Sequence, residues 1–119
     1  MMPTRMRFLF VCHANADRSP TAEEVCRRIA KDNGLEIEAS SAGVSRGARR
    51  SVTKEMADRA DTIFVMEPHM VTELVAEYGQ EPGKIVCLDI PDIYERNEPQ
   101  LVSTLEQKLY EHLAHEGLI

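Results

Sequence analysis

The sequence predicts an α/β fold, a doubly wound four-stranded parallel sheet flanked by helices on both faces. Three observations predict it. Residues 6–11, 62–66 and 85–88 are short, nearly continuous apolar runs, the pattern of strands covered on both faces. Segments with helical periodicity alternate with them, the order that yields a parallel sheet. A tight loop of small residues, 12–20 (CHANADRSP), joins the first apolar run to the first helical one.

Each element has a local reason. Residues 6–11 form the first strand. Ser19 and Pro20 open a helix, since proline is tolerated in a first turn, and Glu23 and Glu24 suit the positive end of its dipole. Ala22, Val25, Cys26 and Ile29 fall at helical spacing on one apolar face, and Asn33-Gly34 ends the helix. Residues 36–40 alternate as a second strand, and a short helix leads to the third, 62–66. Pro68 opens a helix in which Val71, Leu74, Val75 and Tyr78 share a face, stopped by Gly79. Residues 85–88 form the fourth strand. Pro99 opens the last helix, with Leu101, Leu105, Leu109 and Leu113 four apart.

The chain of 119 residues, 43% apolar, suits one domain over residues 1–119. No apolar run approaches the ~18 residues of a membrane span. The apolar stretch 8–12 is too short for a signal-peptide core of ~7–15 residues. A cytoplasmic protein with no membrane partner is therefore expected. The net charge of −6 argues against a nucleic-acid partner. Cys12, Cys26 and Cys87 are odd in number and widely spaced, which fits free thiols better than disulfides or a zinc site. Cys26 and Cys87 read as core. His69, His112 and His115 show no ligand spacing and read as surface.

The loop after the first strand carries the chemistry. In an open α/β sheet, ligands bind beyond the carboxyl ends of the strands. There the loop amides and a helix N-terminus form an anion site, and Arg18 adds a planar fork that matches two phosphate oxygens. Such a field favours a thiolate at Cys12, a nucleophile held beneath a phosphate. The loop amides and Arg18 can then stabilise the charge that spreads over the equatorial oxygens. The leaving oxygen needs an acid. Asp89 and Asp92, just past the fourth strand, are both candidates, and Tyr94 offers an aromatic wall. Cysteine alone at a strand end is ordinarily core, and aspartates near Pro91 are ordinarily turn formers. The strand–loop–helix placement favours the functional reading of Cys12 and Arg18 and leaves that of Asp89 and Asp92 open.

Residues 11–23 (VCHANADRSPTAE) resemble the signature of the low-molecular-weight protein tyrosine phosphatase family, Val-Cys-x-x-Asn-x-Cys-Arg-Ser-Pro-x-Ala-Glu. Val11, Cys12, Asn15, Arg18, Ser19, Pro20, Ala22 and Glu23 match it. Ser41-Ala42-Gly43, Ala48-Arg49 and the Pro91-Asp92-Ile93-Tyr94 segment resemble further stretches of that family, in its order. The resemblance implies a phosphate-binding loop after strand 1 and a phosphatase acting on phosphotyrosine or aryl phosphates. It implies Cys12 as nucleophile forming a phosphocysteine, Arg18 as phosphoryl ligand and Asp92 as general acid. His13, Ala14, Asn15, Ala16 and Asp17 would frame the phosphate. Asn15 would hold the loop with Ser41, and Ser19 would donate to the Cys12 sulfur. His13 would be a rim contact, with Arg46, Arg49 and Tyr94 further rim residues. No metal or organic cofactor is implied, and the expected partner is a phosphorylated protein or a small aryl phosphate.

Three departures stand out. Asp17 replaces the family's second cysteine. Ile93 replaces its proline after the acid. Residues 44–52 (VSRGARRSV) replace a full helix and read as a mobile basic loop that draws anions to an acidic protein. Alternatives are a phosphate- or phosphoprotein-binding module without turnover, an arsenate reductase, which needs further thiols, and a phosphocarrier.

Overall fold

The computed structural model describes residues 5–119. The elements run β1 (Met6–Cys12), α1 (Arg18–Asp32), β2 (Ile37–Gly43), α2 (Lys54–Arg59), β3 (Thr62–Val65), α3 (Pro68–Tyr78), β4 (Ile85–Cys87) and α4 (Pro99–His115), with a 3-10 turn at Pro82–Lys84 before β4. The strands form one parallel sheet in the order β2-β1-β3-β4. This is the predicted fold class. The chain steps from β1 to β2 in one direction, then back across β1 to β3 and on to β4. Right-handed crossovers therefore put α1 on one face and α2 and α3 on the other. Helix α4 returns to pack against α1.

The β1 burial pattern explains the continuous apolar run: Phe8, Leu9, Phe10 and Val11 are all essentially inaccessible. Phe10 stacks on Phe64 at 4.9 Å between centroids, and Phe8 meets Phe64 edge-on at 5.0 Å. On α4, Leu101, Leu105, Leu109 and Leu113 are buried as their spacing requires. Gly79 ends α3 in the left-handed conformation, φ 63°, where glycine carries no Cβ penalty.

Several expectations need correction. Helix α1 begins at Arg18, ahead of Ser19 and Pro20, so its first turn contains no acidic residue. Glu23 and Glu24 lie in the second turn and work through ion pairs instead. Val75 is more than a third exposed, so the core-facing stripe of α3 is narrower than its spacing suggests and rests on Met70 and Leu74. His112 is half-buried and sits edge-on to Phe64 at 5.0 Å and to Phe8 at 6.3 Å. Cys26 is buried as expected, but Cys87 is only half-buried, because β4 is a sheet edge, and its thiol donates to Asp89 Oδ1 at 3.4 Å.

The segment 44–52 is not free. Ser45 N donates to His13 O at 2.9 Å, Arg49 N to Ala14 O at 3.0 Å, and Gly43 N to Arg50 O at 2.7 Å. A bridge joins Gly43 to Ser51. Backbone pairing that a composition-based reading does not register docks the segment onto the loop that follows β1.

Candidate active site

Strand order reverses its direction of travel at β1, and the crevice opens between the carboxyl ends of β1 and β3. The loop after β1 turns there. Asn15 takes a left-handed backbone, φ 54°, which Asn tolerates better than most residues. This turns the chain back so that Asn15 N points at the Cys12 sulfur, 3.2 Å away. Ser19 Oγ lies 3.0 Å from the same sulfur.

A polar chain runs outward from this sulfur. Asn15 Nδ2 donates to Ser19 Oγ at 2.9 Å and to Ser41 Oγ at 3.0 Å. Ser41 donates to Glu23 Oε1 at 2.7 Å, and Arg27 Nη2 pairs with Glu23 Oε2 at 2.7 Å. Because Asn15 occupies a lone pair of Ser19 Oγ, the hydroxyl proton is free to point at the sulfur or at Ala42 O, 3.3 Å away; the sulfur is nearer. Asn15, Ser19 and Ser41 are thus brought together as the sequence predicts.

Arg18 is 2% exposed, and its charge is compensated. Nη1 donates to Glu67 Oε2 at 2.9 Å and to Ile90 O at 2.7 Å, and Nε lies 3.6 Å from Asp92 Oδ1. A small cavity of about 70 Å³ is lined by Cys12, Ala14, Ala16, Asp17, Arg18 and Asp92. Cys12, Arg18 and two aspartates therefore share one small cavity. Asp89 stands apart from it. Its backbone is left-handed, φ 53°, and its carboxylate receives the Cys87 thiol.

The Asp17 carboxylate is engaged. Oδ1 accepts from Arg96 N at 3.0 Å, and next to it Asn97 N donates to Thr21 Oγ1 at 3.0 Å. The first turn of α1 thus grips the far end of the segment that carries Asp92, while Arg18 holds its near end through Ile90 O. Ile93 is 72% exposed and takes no part.

The residues expected at the rim lie outside the small cavity. His13 and Arg46 are exposed, and neither lines the small cavity. Tyr94 is half-buried against the core and does not line the cavity either. Arg49 lines a separate cleft on the β2 side. The sequence reading missed Glu67, Thr21 and the structural use of Glu23. Glu67 had a signal: a carboxylate at the carboxyl end of a strand, just before a helix-opening proline, lies on the ligand-binding edge of the sheet. No group of three or more His, Cys, Asp or Glu suited to a metal ion exists among the described residues. No described helix is long and apolar enough to cross a membrane.

Residues 7–60 match the sequence model of the family described as low molecular weight phosphotyrosine protein phosphatase. No curated protein matches the chain. Solved structures resemble it over nearly its whole length. A low molecular weight protein tyrosine phosphatase from T. tengcongensis superposes with a TM-score of 0.74 at 27% identity, covering 91% of this chain and 99% of that one. The tyrosine phosphatase Wzb from Escherichia coli K30, in complex with phosphate, gives 0.77 at 21% identity, covering 94% and 99%. The YwlE arginine phosphatase, in a mutant form with a phosphorylated active-site serine, gives 0.74 at 22% identity, covering 92% and 96%. The resemblance to the low-molecular-weight phosphatases is borne out, in sequence over the first half of the chain and in fold over nearly all of it.

Proposed function

We propose that the protein is a cysteine-dependent phosphatase that hydrolyses phosphotyrosine or aryl phosphate monoesters. The observation that carries this reading is the shared enclosure of Cys12, Arg18 and Asp92. In the first step the Cys12 thiolate attacks phosphorus and the P–O bond to the leaving group breaks. Asp92 gives its proton to the departing oxygen. In the second step water attacks the phosphocysteine, Asp92 takes the water's proton, and the thiolate leaves with Ser19 donating to it. Arg18 and the loop amides hold the phosphoryl oxygens throughout. A phosphoryl group entering the cavity draws on a guanidinium already held by Glu67 and Ile90, so little ordering is needed on binding.

The test is hydrolysis of p-nitrophenyl phosphate from pH 5 to 7.5 by the wild type and by Cys12→Ser. Turnover that disappears in the variant supports the reading. A folded wild type that binds vanadate without turnover points instead to a phosphate-binding module.

A second leaving group is favoured by one feature of the cavity. Two carboxylates, Asp17 and Asp92, line it, and no aromatic residue does. That lining suits a cationic leaving group, such as the guanidinium of a phosphoarginine, the substrate type named for one of the fold neighbours. Peptides carrying phosphotyrosine and phosphoarginine, compared by kcat/KM, separate the two substrates.

A further inference from the structure

Beside the small cavity lies a larger polar cleft of about 340 Å³, lined by Asn15, Pro20, Glu23, Glu24, Arg27, Ser41, Arg49, Arg50 and Arg96. Its charge does not balance. Four guanidiniums face two carboxylates. Glu23 is taken by Arg27 at 2.7 Å, and Glu24 lies 3.6 Å from Arg96. Arg49 and Arg50 have no carboxylate within ion-pair distance among the described residues and are exposed. Two positive charges are therefore left over on a chain of net charge −6.

These two arginines are fixed relative to the phosphate loop. Arg49 N donates to Ala14 O at 3.0 Å, and Arg50 O accepts from Gly43 N at 2.7 Å. Gly43 permits the contact: a Cβ there would lie 2.6 Å from His13 O and 2.9 Å from Asn15 N. Ala14 and Ala16 line the small cavity while Asn15, between them, lines the cleft. The two spaces thus border one short stretch of loop.

Resting on the phosphatase reading, the geometry points to the cleft as a specificity subsite for a carboxylate flanking the phosphorylated residue, so that the preferred substrate is an acidic phosphopeptide. With the backbone already tied down, pairing with a carboxylate costs the two arginines only side-chain rotamer freedom. Their pull on an acidic chain acts mainly on encounter and affinity and weakens with salt.

The experiment compares two phosphotyrosyl peptides that differ only in flanking Glu or flanking Gln. At low salt the wild type should show kcat/KM about tenfold higher for the Glu peptide, mainly through KM, and the ratio should shrink as salt rises. Arg49→Gln/Arg50→Gln should bring the ratio close to one. Arg49→Glu/Arg50→Glu should reverse it, favouring a peptide with flanking Lys. Affinities of the Cys12→Ser protein for the same peptides read the preference without turnover, so a failed phosphatase reading does not hide the result. Equal kcat/KM and equal affinity for the two peptides in the wild type would overturn the proposal. So would a preference that survives both double substitutions.

Discussion

The Asp17 carboxylate accepts a hydrogen bond from the Arg96 amide at 3.0 Å, tying the phosphate loop to the segment that carries Asp92. This contact gives a physical role to the residue that departs most from the phosphatase signature. It also leaves a negative charge at the edge of the cavity. The two effects are separable. Asp17→Asn keeps an oxygen that can accept from Arg96 while removing the charge. It should bind phosphate about two- to fivefold more tightly, as expected from a screened like charge of about 0.5–1 kcal/mol, with an unchanged dependence on leaving group. Asp17→Ala loses the tether. It should slow esters with poor leaving groups more than p-nitrophenyl phosphate. Inhibition constants for phosphate and a series of aryl phosphates check both. Equal slowing across the series in Asp17→Ala would count against the tether.

Asp92 and Asp89 were equal candidates by position, and their surroundings separate them. Asp92 lies 3.6 Å from Arg18 Nε and lines the cavity, whereas Asp89 is turned to Cys87. Asp92→Asn should lower kcat on phenyl phosphate by about 10²-fold or more, the usual scale of general acid catalysis, and lower it less on esters that need no proton. Asp89→Asn should stay within about twofold on both. Stopped assays at fixed pH are sufficient, and the opposite pattern would transfer the acid to Asp89.

Arg18 is buried, and Glu67 supplies its closest carboxylate, at 2.9 Å. Removing the partner of a buried charge costs more than the pair itself contributes. Glu67→Ala should destabilise the protein by about 1–3 kcal/mol, the range for a hydrogen bond to a charged group. Inorganic phosphate should recover part of that loss by giving the guanidinium a new partner. Urea unfolding with and without phosphate measures both quantities. A loss unchanged by phosphate would mean that removing Glu67 does not strengthen the hold of Arg18 on the anion.

Most of the fold was legible because its signals are local. Apolar runs such as 8–11 and the four leucines of α4 state their burial directly. The phosphate loop was legible because Cys12, Asn15, Arg18 and Ser19 act within eight residues of one another. What escaped is long-range. Glu67 reaches Arg18 across 49 positions and Arg96 reaches Asp17 across 79, and no periodicity encodes such pairs. The docking of residues 44–52 also escaped, because it uses backbone groups, which every residue carries. His112 was misplaced because it was read by residue type, although it follows Leu105 by seven positions and Leu109 by three and so borders the buried stripe of α4.

Gly43 lies where strand β2, the segment 44–52 and the phosphate loop converge. An added Cβ would meet His13 O at 2.6 Å, Ala48 Cβ at 2.7 Å and Asn15 N at 2.9 Å. Two of these are backbone atoms, so the phosphate loop itself must shift. Gly43→Ala should cost about 1–3 kcal/mol of stability, as overpacking does, and should weaken phosphate binding as well, since Asn15 N aims at Cys12. Equilibrium unfolding and phosphate inhibition in the same variant test this. A stability loss with unaltered inhibition would show that the strain is absorbed by Ala48 and the segment 44–52.

His112 provides a pH test of the core. Burial against Phe8 and Phe64 holds its imidazole below the ordinary histidine value; Glu116 opposes this and His115 adds to it. The folded state therefore binds the proton less readily than the unfolded chain does. Stability associated with this group is fully present above the unfolded value near 6.5. It is lost as pH falls through that value and levels off once pH is below the folded one. His112→Phe, which keeps an aromatic ring against Phe64, should flatten the decline in stability between about pH 7 and pH 5. Urea midpoints of the two proteins across that range measure the difference. An identical slope in wild type and variant would mean that the imidazole is hydrated in solution and that the acid sensitivity resides in the carboxylates.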